Sequence, residues 1–438
     1  MTHFREGRLG WPLLFDLRSP SSGGGLKRQA HKEPTVSTRG MRKGALMESS
    51  WVLWSMTAFA VVVLYEMTRG GALLLNNLRE EPKIGAASDH DWPDPPPDIT
   101  VIMPAKDEED YIERSVRSVL ASDYPHFDVI VMDDRSTDRT PEIIRDLARE
   151  DSRVTVASVD RLPEGWTGKT HALYQAVKST SSSILLFIDA DTVVSPDTIS
   201  RSLGFFLDRD LGMLSLVPGF MERGFIENAI HPHLALGMAF FYPLTDVNDQ
   251  NKKTAFATGQ FLMITRKAYE EVGTWKSFRN EITEDIALSR AVKDVGQRLM
   301  VLRAKGLALT KRFGTIAELL GFWKRTYYGG FNKSPAKMIH LTANFVSLSL
   351  LSVFMIYSAA LWAMGKGDLP SAILFFVSFL AMLALVIPFG IYLQEECGNW
   401  AYSLTSPVAL PVCAWVVINT LVTVLRDKGI RWRGSTYK

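Results

Sequence analysis

The chain is expected to fold as an α/β protein, a mostly parallel sheet between helices, with apolar helices toward both ends. Short apolar runs at 99–103, 128–132, 154–157 and 184–188 alternate with helical patterns at 109–122, 139–150 and 169–179. Alternation of this kind builds a parallel sheet covered by helices on both faces. Apolar stretches flank the block: one starts at Trp51 and reaches Met67, extendable through 70–75, and three lie at about 343–364, 370–393 and 400–425. Each of the last three is long enough to cross a bilayer. A chain of 438 residues with 47% hydrophobic and 22% charged residues fits a soluble domain joined to membrane helices.

Taken in order, residues 1–46 are rich in Gly, Ser, Lys and Arg without apolar periodicity, so they are expected to be disordered. Met47 stands just ahead of the first apolar run, so the preceding segment is expected not to belong to the working protein, an expectation that N-terminal sequencing of native material beginning before Met41 would refute. Residues 47–78 read as a transmembrane helix; a secretory signal is the rival, but no small-residue cleavage site follows. A linker at 79–98 ends in a stretch, 91–98, whose four prolines break any helix before the first strand. The α/β domain then occupies 99–314. In 315–340, Ile316, Leu319, Leu320, Trp323 and Tyr327 share one helical face beside Lys324 and Arg325, as in a helix lying among lipid headgroups. An ordinary amphipathic helix on the soluble domain is the alternative.

Three membrane segments are expected in 341–426 and a basic tail in 427–438. If all three cross, the basic run from Arg426 to Arg433 ends opposite the soluble domain, against the positive-inside tendency. Pro407 and Pro411 offer another course, a last segment that is re-entrant or partly interfacial and returns the tail.

Composition excludes several classes. A net charge of +2 without a long basic block gives no footprint for nucleic acid. Cys397 and Cys413 both fall in the apolar C-terminal part, so neither a disulfide framework nor a cysteine zinc site is available.

The chemistry lies in three acidic signals: Asp133-Asp134, Asp189-Ala190-Asp191 and Thr283-Glu284-Asp285. The first two follow buried-looking strands, which puts them at strand carboxyl ends, where open α/β sheets bind ligands. Clustered carboxylates repel one another unless a cation sits among them, so the pattern points to a divalent metal and a phosphate-bearing ligand. Each signal has a plainer reading. Asp133-Asp134 suits an Asx turn with a Ser/Thr cap, Asp-x-Asp is common in turns, and Thr283 is a helix N-cap candidate with two acids in the first turn. Gly168-Lys169-Thr170 mimics the end of a phosphate loop, but Pro163 stands where that motif needs glycine and no strand leads directly into the loop. His231-Pro-His233 lacks helix-face ligand spacing and reads as packing. The run 234–244 is core or part of a lipid-acceptor groove.

The segments 99–110, 129–138, 165–173, 187–191 and 282–285 together, in this order, resemble the family 2 glycosyltransferases, over roughly 99–333. The run from Leu162 to Lys169 and the apolar tail are similar to the branch of hopene-associated, carotenoid and ceramide glycosyltransferases. That resemblance implies a glycosyltransferase-A fold, a nucleotide-sugar donor (UDP-linked), a membrane-lipid acceptor, and a multi-pass protein of the cell membrane with its catalytic domain in the cytoplasm. It assigns Pro104, Lys106, Glu108, Asp133 and Asp134 to the nucleotide, and Asp189 and Asp191 to Mg2+ or Mn2+ beside the donor diphosphate. Lys169 falls to the donor phosphates, with Gly165 and Gly168 allowing close backbone approach, and Gly259 to the donor sugar and acceptor. Asp285 matches the catalytic base of an inverting transfer. The chain departs from the pattern where membrane-bound relatives carry Gln-x-x-Arg-Trp: here the sequence is Gly321-Phe322-Trp323-Lys324-Arg325-Thr326, with Trp323 at the aromatic position. A polyprenyl-phosphate or polysaccharide transferase and a silent membrane scaffold remain as alternatives. A glycosidase fits less well, because its paired carboxylates need no phosphate-facing Gly-Lys loop.

Overall fold

A computed structural model describes residues 38–82, 84–85, 92–304, 306–432 and 435–437. The chain divides into two units, Met1–Ser50 and Trp51–Lys438. In the first, residues 38–50 are helical, and the expectation of disorder for 1–37 lies outside the described residues. Helix α1, Thr38–Glu80, therefore begins inside the segment expected to be disordered. The stretch from Met41 to Glu48 holds Met, Arg, Lys, Ala, Leu and Glu, good helix formers that extend a helix once an apolar stretch nucleates it.

In the second unit the chain runs β1 (Ile99–Ala105), α2 (Ile112–Leu120), β2 (Phe127–Asp133), α3 (Thr140–Glu150), β3 (Val154–Ser158), α4 (Gly168–Lys178), β4 (Ile184–Ile188), β5 (Thr192–Val194), α5 (Thr198–Asp208), β6 (Met213–Val217) and β7 (Gly219–Phe220). It continues through α6 (Phe225–Ala229), α7 (His231–Phe241), α8 (Leu244–Asn248), β8 (Phe261–Thr265), α9 (Arg266–Glu271), α10 (Thr274–Ser277), α11 (Glu284–Asp294), β9 (Leu299–Arg303) and β10 (Ala308–Thr310). The seven-stranded sheet has the order β3-β2-β1-β4-β8-β6-β9. Only β8 runs antiparallel to its neighbours, β4 and β6. A mostly parallel sheet between helices is thus the architecture, as the alternation of strand and helix signals requires.

Register decides what meets at the functional edge. Ala105 lies opposite Asp133, and Ile102 opposite Phe187, so the loops after β1, β2 and β4 open side by side. Because β8 runs the other way, with Ile188 opposite Phe261, the residues just before it, Gly259 and Gln260, enter the same edge. All five residues of β4 are buried. At roughly 1.5–3 kcal/mol per buried aliphatic or aromatic side chain, that burial holds the strand in place although its end crowds like charges together. A small sheet, β5-β10-β7, folds over this edge, with Leu309 opposite Val193.

Beyond the sheet come α12 (Ile316–Gly330), α13 (Pro335–Ala363), α14 (Leu369–Cys397), a 3-10 turn (Trp400–Thr405), α15 (Ser406–Leu425) and the hairpin β11 (Ile430–Trp432) and β12 (Ser435–Tyr437). Among the described residues, four helical stretches are long and apolar enough to cross a membrane: Ser50–Glu80, Pro335–Ala363, Leu369–Cys397 and Trp400–Leu425. Many of their side chains, among them Trp51, Val62, Ile356, Phe376 and Val408, stand exposed, as lipid-facing residues do. Gly71 lets α1 pass close to the Pro388 turn of α14, where an added Cβ would come within 2.7 Å of the Pro388 ring.

The stripe expected to face headgroups turns inward instead. Leu319 and Tyr327 are fully buried, Trp323 is nearly so, and the Tyr327 hydroxyl donates to the Leu234 carbonyl at 2.6 Å. Packing against α7 and α15 claims that face, leaving Ile316 exposed. Residues 335–340, expected to continue this helix, belong to α13, because the chain reverses at Asn332 and Lys333, both with positive φ, just before Pro335.

Candidate active site

A cavity of about 710 Å³ opens at the carboxyl edge of the sheet. Pro104, Lys106, Glu108, Asp134, Lys169, Asp189, Asp191, Gly259, Asp285 and Trp323 all line it. Asp133 is the exception. It is buried at the end of β2, where its Oδ1 accepts the Ser136 N–H at 3.2 Å and shapes the loop.

The loops after β1 and β2 are stitched together. Asp107 Oδ1 accepts the Thr137 N–H at 2.7 Å, and the Glu108 N–H donates to Thr140 Oγ1 at 2.8 Å. Lys106 Nζ donates to the carbonyls of Asp134 and Arg135, at 3.1 and 3.2 Å. Arg135 sits at φ 59°, a left-handed conformation, and its guanidinium returns to Asp134 Oδ1 at 2.7 Å. Gly168 packs directly under Asp134: a Cβ there would stand 1.9 Å from Asp134 Oδ2. Thr167 caps α4 by accepting the Thr170 N–H at 3.1 Å, which aims Lys169 into the cavity.

Lys169 bridges two motifs. Its ammonium lies 2.7 Å from Asp189 Oδ1 and 2.9 Å from Glu284 Oε1. Burial disfavours the ammonium, but Asp189, Glu284 and Asp285 together outweigh it and hold the pKa above the ordinary lysine value. Lys311, at the end of β10, lies 3.0 Å from Glu108 Oε2 and 3.4 Å from Asp191 Oδ2. Burial, and then the charge of Asp189, push Asp191 up to about 6, with Lys311 opposing. Asp285 opens on the cavity yet is surrounded by protein. Burial first, and Glu284 second, push it up to about 7, against Lys169 and the N–H groups of Ile286 and Gly259 that donate to it at 2.8 Å each.

Among the described residues, no three His, Cys, Asp or Glu side chains are gathered closely enough to hold a metal by themselves. The donor set fits the other mode, in which one or two carboxylates hold Mg2+ or Mn2+ together with ligand phosphates. Glu108, Asp189, Asp191, Glu284 and Asp285 crowd around two bridging ammonium groups, Lys169 and Lys311, in a hollow that Lys106, Arg135, Arg312 and Arg325 also line. A cation beside Asp189 and Asp191 would relieve the repulsion that raises the Asp191 pKa.

The opposite wall is apolar and aromatic. Ala235, Met238 and Ala239 of α7, with Phe322 and Trp323 of α12, face the same cavity, so the run 234–244 supplies both core, through Leu234, and cavity wall. Trp323 Nε1 donates to His231 Nδ1 at 3.3 Å, and the His231 ring packs on Phe220 and Phe313. His233 is fully buried, with Nε2 2.9 Å from Ser406 Oγ, and serves packing, whereas His231 also lines the cavity. In the segment that departs from Gln-x-x-Arg-Trp, Arg325 lines the cavity and Lys324 does not. Sequence reasoning missed Lys311 and named Glu284 without giving it a role in the site. Glu284 carried a signal beside Asp285, whereas Lys311 follows a three-residue strand with no motif of its own.

Residues 100–273 match the family described as Glycosyl transferase family 2. The 4,4'-diaponeurosporenoate glycosyltransferase of Staphylococcus aureus is 32% identical over 198 residues, 44% of this chain and 50% of that protein. The chain thus spans about half the length of the curated relatives it matches. Among solved structures, a mannosyltransferase from Pyrobaculum calidifontis in complex with GDP-Man and Mn2+ is similar at a TM-score of 0.48 and 19% identity, covering 85% of this chain and 99% of that one. A glucosyl-3-phosphoglycerate synthase from Mycobacterium tuberculosis, with Mn2+, UDP and phosphoglyceric acid, matches at a TM-score of 0.37 and 22% identity, over 53% of this chain and 78% of that one. The strand-end carboxylates and the parallel register that gathers them lie within the part of the chain, residues 100–273, that matches the model of glycosyl transferase family 2.

Proposed function

We propose that this protein transfers a sugar from a nucleotide-sugar donor, UDP-linked in the first instance, to a hydroxyl of a membrane lipid, with inversion at the anomeric carbon. One observation carries the reading: Asp134, Asp189, Asp191 and Asp285 converge on a single hollow whose far wall is apolar and packed against the membrane helices.

In this reading the nucleotide lies along the β1 and β2 loops, against Pro104, Glu108 and Asp134. Lys169 and Lys311 meet the donor phosphates, Gly168 makes room for the Asp134 carboxylate, and Gly259 borders the cavity beside Lys169. A bound Mg2+ or Mn2+, held by Asp189 and Asp191, would neutralise charge growing on the diphosphate. Asp285, fixed by the Gly259 and Ile286 N–H groups, accepts the acceptor hydroxyl proton as that oxygen attacks the anomeric carbon. The bond from that carbon to the diphosphate breaks, and the leaving group takes its electron pair. The apolar wall of α7 and α12 receives the lipid, and the catalytic domain faces the cytoplasm, where nucleotide sugars are made.

Purified protein incubated with a panel of labelled nucleotide sugars and membrane lipid extract, with and without chelator, tests this. Label should pass to the lipid phase only when divalent cation is present. Transfer indifferent to chelator would remove the metal from the reading, and a product of retained configuration would remove Asp285 as base.

A further inference from the structure

Ile430 lies 105 residues beyond Arg325 in the chain, yet both line the cavity that holds Asp285. The path between them explains how. Helix α15 starts against α7, where Ser406 Oγ meets His233 Nε2, and it packs along α12 and α13. At its end the chain turns sharply: Asp427 has φ 48° and Gly429 has φ 66°, and β11 follows at once, pairing Ile430 with Tyr437. The Ile430 side chain is then buried at 7% exposure. Burial, and then the nearby charge of Asp427, raise the Tyr328 pKa, which places the turn beside α12. A helix of 20 residues is roughly 30 Å long and could cross a bilayer, but here both of its ends are tied to the α7 and α12 layer.

We propose that Ile430, just past α15, forms part of the acceptor-side wall of the cavity and sets how bulky an apolar chain the site admits, and that α15 returns the turn at 427–430 to the side of the membrane that carries the carboxylates. The specificity role rests on the transfer reading above; the return of the turn does not. The apolar side chain of Ile430 stands in the same cavity as the apolar faces of α7 and α12, which suits the hydrocarbon of a lipid rather than a free sugar.

Two measurements test this. In the first, Ile430→Trp and Ile430→Ala are assayed with lipid acceptors of graded chain bulk. Ile430→Trp should raise the acceptor KM fivefold or more for bulky chains while donor KM, donor hydrolysis and Tm stay at parental values, and Ile430→Ala should shift the optimum toward bulkier chains. An unchanged acceptor profile in both folded variants overturns the specificity role, as does a uniform fall in kcat and Tm. In the second, Lys428→Cys and Asp294→Cys, each in a Cys397→Ser background, are labelled with an impermeant maleimide in right-side-out and inverted vesicles. Both positions are exposed. Labelling from the same side supports the return of the turn whatever the enzyme transfers, and labelling from opposite sides overturns it.

Discussion

The Lys169 ammonium lies 2.7 Å from Asp189 Oδ1, so one lysine joins the end of β4 to the start of α11 through its second contact with Glu284. This cation holds like charges together. Removing it in Lys169→Met leaves mostly buried carboxylates unpaired, and stability should fall by roughly 3 kcal/mol. Mn2+ should recover part of that loss, so thermal melts should show a larger cation-induced rise in Tm for the variant than for the parent. No cation-induced rise in either protein would mean that no cation occupies the hollow, and equal rises would mean that Lys169 does not compete with it.

Asp285→Asn preserves shape and keeps one acceptor for the Gly259 N–H, but it cannot take a proton. Donor affinity by calorimetry should stay within a few-fold of the parent, whereas kcat should drop about 100-fold or more.

The pH dependence follows from the same carboxylate. Its pKa is raised to about 7, so the folded protein holds this proton more tightly than the unfolded chain does. The stability linked to it is therefore present at low pH and lost as pH rises through about 7. Activity has the opposite sign, because the base works only when ionised. The kcat/KM profile should climb about tenfold per unit below pH 7 and level off above, and this limb should vanish in Asp285→Asn.

Gly168→Ala should act on the donor. The added methyl would meet Asp134 Oδ2 at 1.9 Å, so that carboxylate, already bound by Arg135, has to leave its place. A donor KM raised tenfold or more, with a stability loss of about 1–3 kcal/mol, is expected from steady-state kinetics and melts.

Arg303 joins three elements: the segment after α1 through Glu81, the sheet through β9, and the end of α14 through Glu395 and Glu396. Its side chain is 10% exposed and that of Glu81 is 4% exposed. Arg303→Ala should lower stability in detergent by roughly 3 kcal/mol, because the buried Glu81 carboxylate loses the guanidinium that balances its charge and keeps the N–H of residue 303. Additional substitution of Glu81→Gln should restore a large part of it.

The strands, the helices between them and the carboxylates at strand ends were legible in the sequence, because each depends on local pattern. Ile184–Ile188 is apolar throughout and leads straight into Asp189, and a parallel sheet turns every such junction toward one edge. Distant pairings lay beyond that kind of reading. Lys311 reaches Asp191 only because β10 pairs with β5, and Glu284 reaches Asp189 only through Lys169. The α12 stripe looked interfacial by composition, and apolar surface is equally satisfied by lipid or by protein. Which of the two it meets depends on whether a neighbouring helix arrives to cover it. The covering of α12 by α7 and α15, and the turn at Asp427 and Gly429 that brings Ile430 to the cavity, are decided by that packing alone.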